Sequence, residues 1–292
     1  MESHSNAVLM TLLSHRYPKS DLAKWLAYLP EQDKEECQVI KTVQEGFNPL
    51  SLLHLPKTIL ERMHYSWLIP LFKFYPDSSH PCLGAVLSQY QKAGVQRMLQ
   101  TSWPDITLSR LSKRYFTYCL YQALGADKPL PFETVFSTKL SLLYYFNKEQ
   151  LIKLMDLLSM YDLAAEIRQL KDSKIINRIH SLLSADQRRF LEICLRQREA
   201  IDMSPLGIAY WKRSMEDLKR ALHHRGISRL GWALTDEHDS LIWYLSRTLD
   251  IGRGMLLQCS SLSEADSWMK QFFQNQVANL IKVFLPHLNM KK

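Results

Sequence analysis

The densest grouping of reactive side chains is Asp236-Glu237-His238-Asp239, three carboxylates and an imidazole in sequence. Such a run could hold a metal or move a proton. An enzyme built on it would need a concave pocket converging around Asp236–Asp239. Directly after Thr235, however, these acids also suit the first turn of a helix, where carboxylates meet the positive end of the helix dipole. No second cluster supplies partner ligands, so the structural role is the expectation. His223-His224 are adjacent and leave a helix on different faces, which is wrong for sharing one metal. Gly252-Arg253-Gly254 lacks the third glycine, the preceding strand and the Lys-Ser/Thr of a phosphate loop. Gly226-Ile227-Ser228 lacks the surrounding Gly-x-Ser-x-Gly of a nucleophile elbow. The five cysteines (Cys37, Cys82, Cys119, Cys194, Cys259) are odd in number, with no Cys-x-x-Cys pair. They read as free thiols of a reducing compartment. No enzyme, no cofactor and no metal site is expected.

Charge is more informative. The chain of 292 residues carries a formal charge of +8. Between Arg168 and Arg229 lie 14 basic and 7 acidic residues, so nearly all the excess belongs to one fifth of the chain. The expected surface is formed by Arg168, Lys171, Lys174, Arg178, Arg188, Arg189, Arg196, Lys212 and Arg213. Arg188-Glu192-Arg196 has the i, i+4 spacing of a self-paired helix face. An acidic protein partner or a membrane surface fits this stretch better than nucleic acid does. The alternative is a basic helical regulator binding nucleic acid through the Arg168–Arg229 surface, although no helix-turn-helix, RNP or zinc pattern accompanies it. No small-molecule substrate is indicated.

The elements that must carry this surface are helices. Apolar and charged fractions of 46% and 23% are those of a globular chain. Alternating β-branched runs and hairpin dipeptides are missing. Ten of the twelve prolines lie between Pro18 and Pro131. Gly125 followed by Pro129 and Pro131 places a boundary there, giving a proline-rich helical domain over 1–125 and a second helical domain over 126–292. Helices are expected over Asp21–Leu29, Glu31–Glu45, Pro56–Met63 and Asp105–Leu124. Asn147 with Gln150, and Ser184 with Gln187, read as capping boxes. Ser204-Pro205 reads as a helix start and Gly226 as that helix's left-handed end. Phe190, Leu191, Cys194 and Leu195 form one buried stripe. The seven tryptophans are expected mainly in the core, one or two of them as interface anchors. Leu158…Leu170-Lys171-Asp172 returns 64 residues later as Leu222…Leu234-Thr235-Asp236. Ile175-Ile176 returns as Leu241-Ile242 after 66 residues, which implies a two-residue insertion. Repetition of this kind suits a stacked helical array. The apolar stretch Tyr65–Tyr75, with Pro70 and Lys73, is too short to span a bilayer of about 30 Å. No secretory signal is read at the N-terminus.

From Leu151 to Leu195 the sequence resembles the armadillo-like repeats of the flagellar motor switch protein FliG. The resemblance rests on Leu151, Leu154, Leu158, Asp162-Leu163-Ala164-Ala165, Ile167, Leu170, Ile176, Ile179, Leu182-Leu183-Ser184 and Phe190-Leu191. Upstream, Leu60-Glu61-Arg62-Met63-His64 with Trp67-Leu68 and Leu71 is similar to a His-x-x-Trp-Leu stretch of SctK, an accessory cytosolic protein of type III secretion. The Gly-Gly-Pro-Gly hinge and the alternating-charge torque helix of the switch protein have no counterpart. The resemblance implies a helix beginning near Asp162-Leu163-Ala164, a charged turn, and a successor helix capped by Ser184. It also implies an all-α, armadillo-like scaffold of the cytosolic sorting platform, non-enzymatic, linking membrane-ring and cytosolic-ring proteins. Such a protein would be cytoplasmic, with peripheral contact at the inner membrane as part of a complex.

Overall fold

The computed structural model describes residues 55–125, 129, 132, 138–196, 205–208, 214–261 and 267–284. Among the described residues there are twelve α-helices and no strand, so the fold is all-α. The helices expected over 21–29 and 31–45 lie outside the described residues, as do Lys212, Arg213, Trp25, Trp211 and Cys37. The chain divides into two compact units: the part up to Ser137 with His238–Gly254, and Thr138–Glu237 with Met255–Lys292. Two consecutive blocks meeting at 125/126 would not return His238–Gly254 to the first unit.

In the first unit, prolines set the lengths of the elements. α1 (Leu55–Arg62) carries Pro56 in its opening turn, α2 (Ile69–Phe74) carries Pro70 and α3 (His80–Gly84) carries Pro81, each where a missing N–H costs nothing. α4 (Gln89–Leu99) opens on a capping box between Ser88 and Gln91. The buried Gln91 amide also donates to Leu60 O at 2.6 Å and Met63 O at 2.8 Å, satisfying carbonyls left over at the end of α1. α5 (Arg110–Ala123) begins at the Ser109 cap, later than the expected Asp105, and Gly125 at φ +62° closes it. His80 Nε2 lies 2.7 Å from Phe72 O and 3.2 Å from Tyr75 O. Because both are carbonyls, that nitrogen carries the proton and caps the end of α2.

His64, Ser66 and Trp67 then clasp α10 (Asp239–Thr248) and the start of α11 (Ile251–Ser261). His64 N–H donates to Arg247 O at 2.9 Å, the Trp67 indole N–H to Leu249 O at 2.9 Å, and Ile251 N–H to Ser66 Oγ at 2.9 Å. The guanidinium of Arg247 lies 3.8 Å from the Trp67 ring centre and 5.3 Å from that of Trp243.

The second unit is organised around α6 (Lys148–Gln169). This helix is buried at eleven positions spread around its circumference and has no single polar side, as a helix enclosed by others must be. α8 (Ala185–Arg196), α9 (Met215–Ala233) and α12 (Ser267–Phe284) pack on it, and α7 (Ser173–Leu182) touches α9. Leu163, Ile179, Leu191, Cys194 and Leu218 share one core, with the partly buried Phe190 and Leu195 against it, so the stripe read from the sequence faces the core. Both capping boxes are present as expected.

Three expectations fail here. The helix read from Pro205 starts instead at Met215, capped by Ser214 onto Asp217 N–H, and Pro205 is outside any helix. Gly226 does not end it: α9 runs through to Ala233. A Cβ at Gly226 would sit 1.8 Å from Met155 O, so glycine is there for close approach of α9 to α6. Asp162-Leu163-Ala164 falls inside α6 and not at a helix start, whereas the charged turn at Lys171-Asp172 and the Ser184 cap follow in the implied order.

In the two similar sequence stretches the helix ends fall at matching places. α6 ends at the Leu170 cap and α9 at the Leu234 cap; α7 is capped by Asp172 and α10 by His238. The two-residue insertion therefore lies in the turn.

Candidate docking surface

Of the nine basic residues read as a surface, seven are described, and all seven are exposed: Arg168, Lys171, Lys174, Arg178, Arg188, Arg189 and Arg196. They sit in the second unit on three carriers, with Arg168 in the last turn of α6. Lys171 lies in the turn before α7, and Lys174 and Arg178 are one turn apart on α7. Arg188, Arg189 and Arg196 lie on α8. Ile179 of α7 and Leu191 and Cys194 of α8 enter the same core, which leaves the outward faces of both helices basic. Ile193, 50% exposed, adds an apolar side chain between Arg189 and Arg196.

Their electrostatic surroundings differ. Arg168 donates from Nη2 to Cys194 O at 2.5 Å, capping the last turn of α8, where a cation also suits the helix dipole. Lys153 pairs with Asp186 at 2.5 Å and, with Arg189 nearby, holds that carboxyl below the ordinary aspartate range. Lys171, Lys174, Arg178, Arg188 and Arg196 form no ion pair among the described residues. The i, i+4 pairing expected through Glu192 therefore does not form. Long side chains held by no second contact keep their rotamer freedom in water, because an exposed pair contributes only ~0–1 kcal/mol.

The far end of the basic stretch is not a surface at all. Arg229 is fully buried. Its Nε and Nη2 donate to the Asp162 carboxylate at 2.8 and 2.9 Å, and Nη1 donates to Gln276 Oε1 at 2.9 Å. The rings of Tyr161 and Phe273 lie 5.4 and 5.3 Å from the guanidinium. This arginine ties α6, α9 and α12 together. Counting charge along the chain assigned it to the surface, since sequence alone does not tell a paired core arginine from a solvated one.

The acids around Asp236–Asp239 take separate structural partners. Asp236 pairs with Lys270 at 2.9 Å, and Glu237 accepts from Thr138 Oγ1 at 2.7 Å. The His238 side chain accepts from Ser240 N–H, and only Asp239 enters the first turn of α10. Burial, helped by the neighbouring charge of Asp236, raises the Glu237 carboxyl above the ordinary glutamate range, while the Thr138 hydroxyl opposes the shift. No group of three His, Cys, Asp or Glu among the described residues could hold a metal. His223 Nδ1 instead meets Asp156 Oδ1 at 2.8 Å.

Glu166 went unnoticed in the sequence. Its carboxylate receives the consecutive N–H groups of Leu206, Gly207 (3.3 Å) and Ile208 (3.1 Å), with Gly207 at φ +71°. Three amides converging on one anion form a nest, here filled from within. An isolated glutamate on a helix carries no signal of such a role.

No helix among the described residues is long and apolar enough to cross a membrane. Comparison with protein families, with curated proteins and with solved structures returns no match to this chain.

Proposed function

We propose that this chain is a non-enzymatic adaptor of a bacterial type III secretion sorting platform, joining membrane-ring and cytosolic-ring proteins through protein–protein contacts. The observation that carries the docking part is the outward face of α7, with the turn before it, and of α8. Five exposed cations there are without an ion-pair partner among the described residues, and an exposed isoleucine lies beside them. A basic field of this kind accelerates encounter with an acidic surface and suppresses basic ones. The secretory context rests on the sequence resemblance at Leu151–Leu195 and His64–Leu68. The helix, charged turn and Ser-capped helix of α6–α8 are compatible with an armadillo-like array, and an array of this kind supplies the scaffold.

The test is recovery of partners on the tagged full chain from native lysate of its source. Secretion-ring proteins are expected at about 50 mM salt, with recovery falling steeply above physiological strength, where screening acts over about 8 Å. Recovery of no secretion-apparatus protein at low salt overturns the proposal. A mobility shift of nucleic acid that Arg188→Glu with Arg189→Glu abolishes, with no protein partner found, replaces it with the nucleic-acid reading.

A further inference from the structure

The first unit holds a trough of about 860 Å³ that the basic face of α7 and α8 does not involve. α1 and α5, which pack on each other, form its sides. Its floor is apolar, with Val86, Leu87 and Leu108 half-buried, and its α5 wall carries Arg110, Lys113 and Arg114, all exposed. Tyr118 lines it as well. We infer that this trough is a docking site for an acidic amphipathic helix of a partner protein.

Shape favours a helix. None of the lining residues is fully buried, so the site is an open channel and not an enclosed pocket. Small-molecule sites instead bury roughly 70–90% of their ligand. An α-helix about 10 Å across with a pitch of 5.4 Å sweeps roughly 400 Å³ per turn, so the trough takes about two turns. A helix laid between two packed helices, with its apolar stripe on the floor, is a recurrent mode of peptide recognition.

Charge selects the sign of the occupant. Among the described residues Glu61 is the only acid lining the trough, and Lys57 already pairs with it at 3.7 Å. Arg110, Lys113 and Arg114 form no ion pair among the described residues. They also stand in the opening turns of α5, which has no acid in its first turn, so three cations oppose the positive end of the helix dipole. Folding alone gives no reason for that arrangement, and a carboxylate-bearing partner would reverse its sign.

Beside the wall, Leu111, Tyr115 and Tyr118 are 78%, 63% and 51% exposed at i, i+4 and i+7, one continuous stripe on α5. Arginine and tyrosine on one exposed helix face are the residues that dominate protein interfaces. A nucleic acid would use the cations. It could also stack on Tyr115 or Tyr118, but it would gain little from the aliphatic floor of Val86, Leu87 and Leu108, which an apolar helix face would bury.

The inference stands apart from the secretion reading and is tested separately. The probe is a labelled synthetic peptide of about five turns, with leucines on one helical face and glutamates on the other. It is titrated into the full chain by fluorescence anisotropy, alongside a scrambled peptide of equal composition and a single-stranded oligodeoxythymidine. Saturable binding at least tenfold tighter than the scrambled peptide is expected. Arg110→Glu with Arg114→Glu should weaken it more than tenfold, and Val86→Glu should do the same with the cations intact. Arg188→Glu with Arg189→Glu, on the other unit, should leave it unchanged. Lys113→Gln, a mild change at an exposed site, should weaken it severalfold and serves if a charge reversal disturbs the circular dichroism spectrum. No binding of the amphipathic peptide, equal binding of the scrambled one, or preferential binding of the oligonucleotide overturns the inference.

Discussion

Arg229 and Arg247 are two desolvated arginines, one in each unit, and the chain accommodates them in opposite ways. Arg229 meets a carboxylate with two parallel hydrogen bonds and a glutamine with a third. Arg247 lies over Trp67 and near Trp243, and its buried Nε and Nη1 reach no acceptor among the described residues. Burial pushes its guanidinium below the ordinary arginine value. Aromatic faces attract a cation by up to about 2 kcal/mol when desolvated, but they leave its N–H groups unsatisfied, each at a cost of about 1–3 kcal/mol. The first arginine therefore specifies how three helices meet, whereas the second fills space between indoles and stores an unmet demand for hydrogen bonds.

The largest effect that separates them comes from removing the counter-charge of Arg229. Asp162→Ala should destabilise the second unit by about 3–5 kcal/mol, because the guanidinium stays buried without its carboxylate. Urea unfolding followed by the fluorescence of Trp232, which packs on Phe273, reads this directly. Replacing both partners, Asp162→Leu with Arg229→Met, should recover most of that loss, since well-packed apolar residues often equal a buried ion pair. A double variant as unstable as the single one would mean that packing around Gln276 depends on the charge itself.

Gly226→Ala comes next. With Met155 backbone oxygen in the way, the added methyl should cost about 1–3 kcal/mol through separation of α9 from α6. Arg247→Met is expected to have a smaller effect of the opposite sign. It should be neutral or stabilising by about 1 kcal/mol, because two unsatisfied donors disappear while the apolar stem remains. A loss above about 2 kcal/mol would show that the two indoles depend on the cation.

The smallest effect concerns pH. With Glu237 raised by burial, the folded chain binds that proton more tightly than the unfolded chain does. Its contribution to stability is complete below the unfolded value and is lost as pH rises through the raised folded value. Glu237→Gln should remove that part of the decline as pH rises above the ordinary glutamate range, seen by comparing thermal unfolding of the two proteins across pH.

What the sequence disclosed follows the range of its signals. Capping at Asn147–Gln150 and Ser184–Gln187 is a contact over three residues, and both boxes are where the pattern placed them. The box at Ser88–Gln91 has the same spacing, but the prolines around it mask the helical pattern. Gly226 carries the mark of a helix end, and only a residue 71 positions earlier in the chain, Met155, explains why it is inside a helix. Arg229 was hidden for the same reason: its partner Asp162 lies 67 residues away. The trough beside α5 requires α1 and the Ala85–Ser88 loop together, and no local pattern brings those to Arg110. Its stripe of Leu111, Tyr115 and Tyr118 reads as an ordinary buried face until the exposure is known.

The most direct test of the adaptor reading sets the two basic regions against each other in one experiment. Tagged wild-type chain, Arg188→Glu with Arg189→Glu, and Arg110→Glu with Arg114→Glu are each used to recover partners from native lysate at low salt. Secretion-ring proteins should accompany the wild type and fall at least tenfold with the α8 reversal. Equal recovery of ring proteins with the α8 reversal, or none with the wild type, would contradict the account.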